Sequence, residues 1–137
     1  MKIFIDTCAF AAMAVPEDPL NGRAKAAYRD VMLQTFRQYT SDYVLDETYT
    51  LLAARRGHRK AVAFMDAFEQ SGVDILRIDE RVEQNAKTIF KKIDLPRLSF
   101  TDCTSFAIIN AHHIDHVFTY DEHFGMFRFL NPVTIIG

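Results

Sequence analysis

The sequence has little of what most readily classifies a chain. No apolar run approaches the ~20 residues needed to cross a bilayer, so nothing in it reads as a membrane span. The N-terminal "MKIFIDT" is already strand-like and has no secretory-signal pattern behind its first lysine. Two cysteines, Cys8 and Cys103, are too few for a disulfide framework, and a reducing cytoplasm is the expected setting. A net charge of −2 argues against a protein that coats nucleic acid by bulk charge, while leaving room for a local basic patch around an acidic centre. Internal repeats, low-complexity stretches and linkers are missing as well. What is present is 137 residues, 49% apolar and 25% charged, the balance of a globular protein. The expectation is one domain, residues 1–137, with a real core.

Segments of two different periods alternate. "KIFID" (2–6), "VDILRI" (73–78), "HVFTY" (116–120) and "VTIIG" (133–137) are short, β-branched or aromatic, and read as buried strands. In "ERVEQNAKTIFKKI" (80–93), Val82, Ala86, Ile89, Phe90 and Ile93 form one apolar stripe at helical spacing. Residues 59–69 repeat the pattern with Val62, Met65 and Phe68, and Gly72 follows as a stop. Residues 23–38 and 101–113 are further helical segments, and "AVPEDPLNG" (14–22) is irregular. Strands separated by helices predict a three-layer α/β/α sandwich around a mainly parallel central sheet.

Three of these segments end in an acid. "KIFIDT" runs up to Asp6, "LPRLSFTDC" up to Asp102 and "VFTYDEHF" up to Asp121. Parallel sheets bind ligands beyond the carboxyl ends of their strands, where Asp6 and Asp121 are expected, with Asp102 in the first turn of a helix facing the same crevice. A fourth acid comes from "TSDYVLDETYTLLAARRG" (40–57). With Val44, Leu45, Thr48, Leu51 and Leu52 as its buried face, Glu47 falls about 100° from the centre of that face and Asp46 about 160°. Only Glu47 is placed to reach a crevice.

Four converging carboxylates repel one another. A pair ~5 Å apart at an effective dielectric of ~20 costs about 3 kcal/mol, so either protons or a hard divalent cation must enter. An all-oxygen set suits Mg²⁺ or Mn²⁺, which lowers the pKa of bound water and offsets the charge of a phosphodiester transition state. Hydroxyls at Thr7 and Thr119 are expected to orient the acids. Each acid also has a plain structural role open to it. Ser99 and Asp102 have capping-box spacing, Asp121 can cap the turn "DEHFGM", and Asp6 can hold a strand-to-helix turn. Asp79 ends "ILRID" in the same way and reads as the N-cap of the 80–93 helix.

"IFIDTCAF", "YTSDYVLDETYTLLAARRGH", "LSFTDCTSFAI" and "VFTYDEHF" together resemble the PIN-domain family, most closely the virulence-associated protein C (VapC) toxins of prokaryotic toxin–antitoxin pairs. By position, that resemblance puts the family's catalytic, metal-binding acids on Asp6, Glu47, Asp102 and Asp121, and its hydroxyl residue on Thr119. It implies an endoribonuclease dependent on Mg²⁺ or Mn²⁺ that leaves 5′-phosphate and 3′-hydroxyl ends. It also implies a homodimer and a cognate antitoxin whose C-terminal segment crosses the acidic groove.

Other features carry weaker expectations. The basic run "ARRGHRK" (54–60), with Arg55, Arg56, Arg59 and Lys60, is either an RNA-phosphate grip or a solvated helix end, as are Arg97 and Lys25. His112, His113, His116 and His123 crowd the C-terminal third; a zinc site built from them with Cys8 or Cys103 is conceivable but no spacing is diagnostic of one, and His123 is expected to pack or hydrogen-bond behind Asp121. Two other classes compete with the nuclease: phosphotransfer through Asp6, and a non-catalytic binding module. Haloacid-dehalogenase-type phosphatases need an acid two places after the nucleophile, where this chain has Cys8.

Overall fold

The computed structural model describes all 137 residues. Five strands form one sheet: β1 (Lys2–Ile5), β2 (Arg37–Ser41), β3 (Asp74–Leu76), β4 (His116–Phe118) and β5 (Thr134–Ile136), in the order β3-β2-β1-β4-β5. All four pairings are parallel. Ile3, Phe4 and Ile5 are fully buried although their side chains alternate between faces, so central strand β1 is covered on both sides. The cover is helical: α1 (Thr7–Ala14), α2 (Asn21–Leu33), α3 (Asp42–Arg56), α4 (His58–Glu69), α5 (Glu80–Lys92), α6 (Phe100–Ala111) and the short α7 (His123–Met126). Chain growth runs from β1 out to β3, then returns past β1 to β4. Right-handed crossovers in the two directions send α1–α4 to one face and α5 and α6 to the other. The α/β/α sandwich expected from the alternating periods is the observed fold. No helix is long and apolar enough to cross a membrane.

Two elements were not legible in the sequence. The 23–38 segment is not one helix: α2 stops at Leu33, and residues 37–41 form β2. "RQYTS" hides as a strand because its buried half is polar, and Thr40 satisfies its hydroxyl on the Ile5 carbonyl at 2.8 Å. The irregular stretch is shorter than 14–22, since α1 already occupies 7–14 and α2 begins at Asn21. The apolar stripes are also narrower than read. Val62 and Phe90 are 38% and 47% exposed, while Ala61 and Phe68 of α4 and Val82 and Ala86 of α5 are buried.

Local chemistry sets several boundaries. Asp79 caps α5, its carboxylate accepting from Val82 N–H at 2.9 Å, with Glu80 and Glu83 in the first turn and Lys91 and Lys92 in the last to complement the helix dipole. Ser41 caps α3 by accepting from Val44 N–H at 3.1 Å. A single residue, Gly57, joins α3 to α4 at φ +95°, a conformation that favours glycine. The C-terminal third is held by an aromatic cluster in which Phe106 stacks on Phe127 at 4.4 Å and meets Phe124 edge-on at 5.0 Å.

Candidate active site

The strand order reverses between β1 and β4, the place where a parallel sheet opens a crevice at its carboxyl end. Asp6 leaves β1 there, and its N–H donates to the Phe118 carbonyl at 3.1 Å, pinning the end of one strand to the other. Asp6 is also the N-cap residue of α1, yet its side chain makes no capping hydrogen bond. The carboxylate instead accepts from Thr119 Oγ1 at 2.9 Å and from Cys8 Sγ at 3.3 Å. Thr119 Oγ1 in turn accepts from Asp121 N–H at 3.0 Å, so one hydroxyl orders both acids. Cys8 Sγ accepts from Tyr120 N–H at 3.1 Å, closing a small network that ties α1 to the segment after β4.

Asp102 arrives from the first turn of α6. The structural role open to it is realised: Ser99 and Asp102 form a reciprocal capping box, with Asp102 Oδ2 accepting from Ser99 N–H at 3.1 Å. That clamp does not remove it from the crevice. Its carboxylate and those of its neighbours press on one another, and Asp121 and Glu47 both act on Asp102. Burial pushes Asp102 up to about 6, with those two charges adding and the Ser99 hydrogen bonds opposing. Burial, then the charge of Asp102, pushes Asp6 up to about 7 against the pull of Thr119 and Cys8. Electrostatically the four acids meet at Asp102.

At ligand distance the grouping is different. Asp102, Asp121 and His123 each present an atom within 4.8 Å of the others, while Asp6 and Glu47 stand outside that trio. His123 is 7% exposed, and its Nε2 lies 2.9 Å from the Pro96 carbonyl. Its Nδ1 lies 2.8 Å from Asp121 Oδ1 and 3.7 Å from Asp102 Oδ2. The imidazole thus sits beside Asp121 as expected, but it also faces Asp102. The sequence hinted at this only by placing a histidine two residues after a strand-end acid.

The remaining expected residues are spread more widely. Glu47 is half-buried on α3 and Asp46 is exposed, as the helical geometry predicted. Thr7 does not turn its hydroxyl to an acid; it reaches the Val44 carbonyl at 3.4 Å, and its backbone supports Asp6. Arg55, Arg56 and Arg59 are exposed around the α3–α4 junction, and Lys60 pairs with Glu17 at 3.6 Å. Arg55 is about 12 Å along α3 from Glu47. Arg97 lines a hollow with Tyr120, Asp121, Glu122 and His123. Arg23, passed over in the sequence, covers the Tyr120 ring at 5.4 Å and borders the same acids. His112 and His113 are exposed and His116 pairs with Asp115 at 2.8 Å, so no histidine cluster forms. Both cysteines are free thiols, and burial pushes Cys8 up to about 12 and Cys103 up to about 11, which leaves them protonated and unreactive.

Comparison with known proteins follows the same geometry. The model of the PIN domain matches residues 3–130. The 23S rRNA-specific endonuclease VapC20 of Mycobacterium tuberculosis is 32% identical over 128 residues, covering 93% of this chain and 95% of that protein. A VapC ribonuclease of Archaeoglobus fulgidus is 30% identical over 92 residues, covering 66% of this chain and 57% of its own length. The crystal structure of the M. tuberculosis VapC20, described as a Sarcin-Ricin loop cleaving toxin, superposes with a TM-score of 0.82 at 31% identity, covering 94% of this chain and 97% of that one. VapBC2 from Rickettsia felis, solved bound to a promoter DNA fragment, matches at a TM-score of 0.71 over the full length of both chains, and at 13% identity that likeness is one of fold.

Proposed function

The chain belongs to the PIN-domain family, and from that premise we propose that it is a metal-dependent endoribonuclease, the toxin of a toxin–antitoxin pair. Asp6, Glu47, Asp102 and Asp121 are its catalytic acids and hold Mg²⁺ or Mn²⁺. The observation that carries the reading is a set of buried acids at the strand-order reversal: burial first, and neighbouring carboxylates after it, drive Asp6 and Asp102 toward protonation. An imidazole nitrogen without a hydrogen-bond partner, Nδ1 of His123, faces Asp102 and Asp121. Such a donor set fits a divalent cation and is uncomfortable without one.

When bound, the ion lowers the pKa of an attacking water and offsets charge on the phosphoryl oxygens. The protein's own part is positional. Thr119 fixes the rotamers of Asp6 and the backbone of Asp121 through one hydroxyl. Ser99 N–H holds Asp102 Oδ2, the oxygen that also lies 3.7 Å from His123 Nδ1, and so fixes the carboxylate at the crevice. Glu47 supplies the fourth charge from α3. Arg23 and Arg97, exposed beside the acids, and the run at Arg55, Arg56, Arg59 and Lys60 are placed to offset RNA phosphates approaching an acidic mouth. Hydrolysis leaves 5′-phosphate and 3′-hydroxyl ends. The working form is a cytoplasmic homodimer restrained by an antitoxin, a basic segment of which is the natural electrostatic match for acids lacking their metal.

Cleavage of total RNA by the purified chain tests this. Asp121→Asn is expected to abolish cleavage with an unchanged circular dichroism spectrum, and excess EDTA to silence the unaltered protein until Mn²⁺ or Mg²⁺ is restored. Full cleavage in excess EDTA overturns the reading.

A further inference from the structure

His123 is buried, two residues from one proposed ligand and facing another, and hydrogen bonding does not account for its inner nitrogen. A carbonyl only accepts, so the contact of Nε2 with the Pro96 oxygen at 2.9 Å places a hydrogen on Nε2. In the neutral ring that leaves the lone pair on Nδ1. A hydrogen on Nδ1 would need an acceptor in line with it, and although Asp121 Oδ1 is 2.8 Å away, Nδ1 is left without a hydrogen-bond partner. A lone pair held between two carboxylates is repulsive unless something positive, a proton or a metal ion, sits among the three.

The spacing suits an ion. Ligands about 2.1 Å from a six-coordinate cation lie about 3.0 Å apart at right angles and about 4.2 Å apart across it. Nδ1 lies 2.8 Å from Asp121 Oδ1, just under the right-angle spacing, and 3.7 Å from Asp102 Oδ2, between the two spacings. The Pro96 carbonyl then does what an outer hydrogen bond does for a metal-binding histidine: it fixes the tautomer and the ring orientation.

We propose that His123 Nδ1 is an inner ligand of the divalent cation, making the centre a mixed nitrogen–carboxylate site that selects Mn²⁺ over Mg²⁺. The assignment rests on the metal-dependent reading above and goes beyond its four acids. Magnesium strongly prefers oxygen ligands, whereas imidazole binding strengthens along the transition series, so one nitrogen shifts the preference toward the transition ion.

Pulsed electron paramagnetic resonance of the full chain, freed of metal and loaded with one equivalent of MnCl₂, reads the ligand directly. The expected signal is ¹⁴N echo modulation from a histidine, replaced by the ¹⁵N pattern when the chain is grown with ¹⁵N-histidine. It is expected to vanish in His123→Gln, whose amide nitrogen can keep the Pro96 contact while the inner nitrogen is lost, and to persist in His116→Gln. Mn²⁺ affinity is expected to fall about tenfold or more in His123→Gln, and Mg²⁺ affinity by less than about threefold. Bound Mn²⁺ without nitrogen modulation, or with the same modulation in His123→Gln, overturns the ligand assignment and leaves the four-acid reading standing. A chain that binds Mg²⁺ but no Mn²⁺ overturns the ligand assignment alone, and one that binds neither ion overturns both. The isotope comparison uses the unaltered sequence, so a His123→Gln that does not fold still leaves the assignment open to refutation.

Discussion

Asparagine at Asp6 separates the charge of the site from its shape. In the metal-free chain Asp6 is raised from 3.8 to about 7, first by burial and then by the charge of Asp102. The folded form therefore holds this proton more tightly than the unfolded chain. Stability from Asp6 is fully present below about 4, where both forms are protonated, and is lost as pH rises through about 7. Over that window the gap amounts to about 4 kcal/mol at 1.36 kcal/mol per pH unit, an upper figure because neighbouring acids share it. Asparagine has no such proton to lose. Its carbonyl oxygen can accept from Thr119 and Cys8 as the carboxylate does. Its amide hydrogens lack an assured acceptor, a cost of about 1–3 kcal/mol that does not vary with pH. The informative quantity is thus the difference between two curves. Urea unfolding followed by circular dichroism from pH 4.5 to 8 in EDTA is expected to show Asp6→Asn gaining about 2–4 kcal/mol on the unaltered protein across the range. Excess Mn²⁺ is expected to restore the unaltered protein and do little for the variant. Parallel curves, or an unaltered protein that gains stability on Asp6's account as pH rises, refute the reasoning.

Three further changes probe other parts of the argument. Ser99→Ala removes the side-chain half of the capping box and is expected to cost about 1 kcal/mol by urea unfolding. Because Ser99 also settles Asp102, its kcat on RNA is expected to fall by more than the unfolded fraction explains. Phe106→Ala, at a residue 1% exposed within the aromatic cluster, is expected to lower stability by about 3–5 kcal/mol, seen as a lower urea midpoint, with little effect on metal affinity below the transition. Arg55→Ala with Arg56→Ala is expected to raise KM for RNA and to flatten the slope of log KM against log salt by about 1.4 if both touch phosphate. An unchanged slope identifies the run as a solvated helix end.

The sequence carried the fold wherever burial and periodicity agreed. "KIFI" and "HVF" are strands whose apolar β-branched and aromatic residues are covered, and their ends placed Asp6 and Asp121 at the carboxyl edge, whereas "TII" is a strand but not the buried one expected, with Ile135 46% exposed at the sheet's rim. The wheel around Val44, Leu45 and Thr48 put Glu47 half in and Asp46 out because α3 is regular through that stretch. Where burial is polar or uniform the signal fails. β2 buries Thr40 and Ser41, and α1 is apolar nearly all round, so neither shows a period. The orientation of His123 was out of reach for another reason. It is set by a carbonyl at Pro96, 27 residues upstream, which no local pattern announces.

The two outermost strands, β3 and β5, are three residues each. A rim so short offers an incoming backbone only a few free amide and carbonyl groups, too few to template lengthening of the sheet. Any contact between copies of this chain is therefore expected to use side-chain surfaces on the helical layers, where α3 and α6 also carry Glu47 and Asp102.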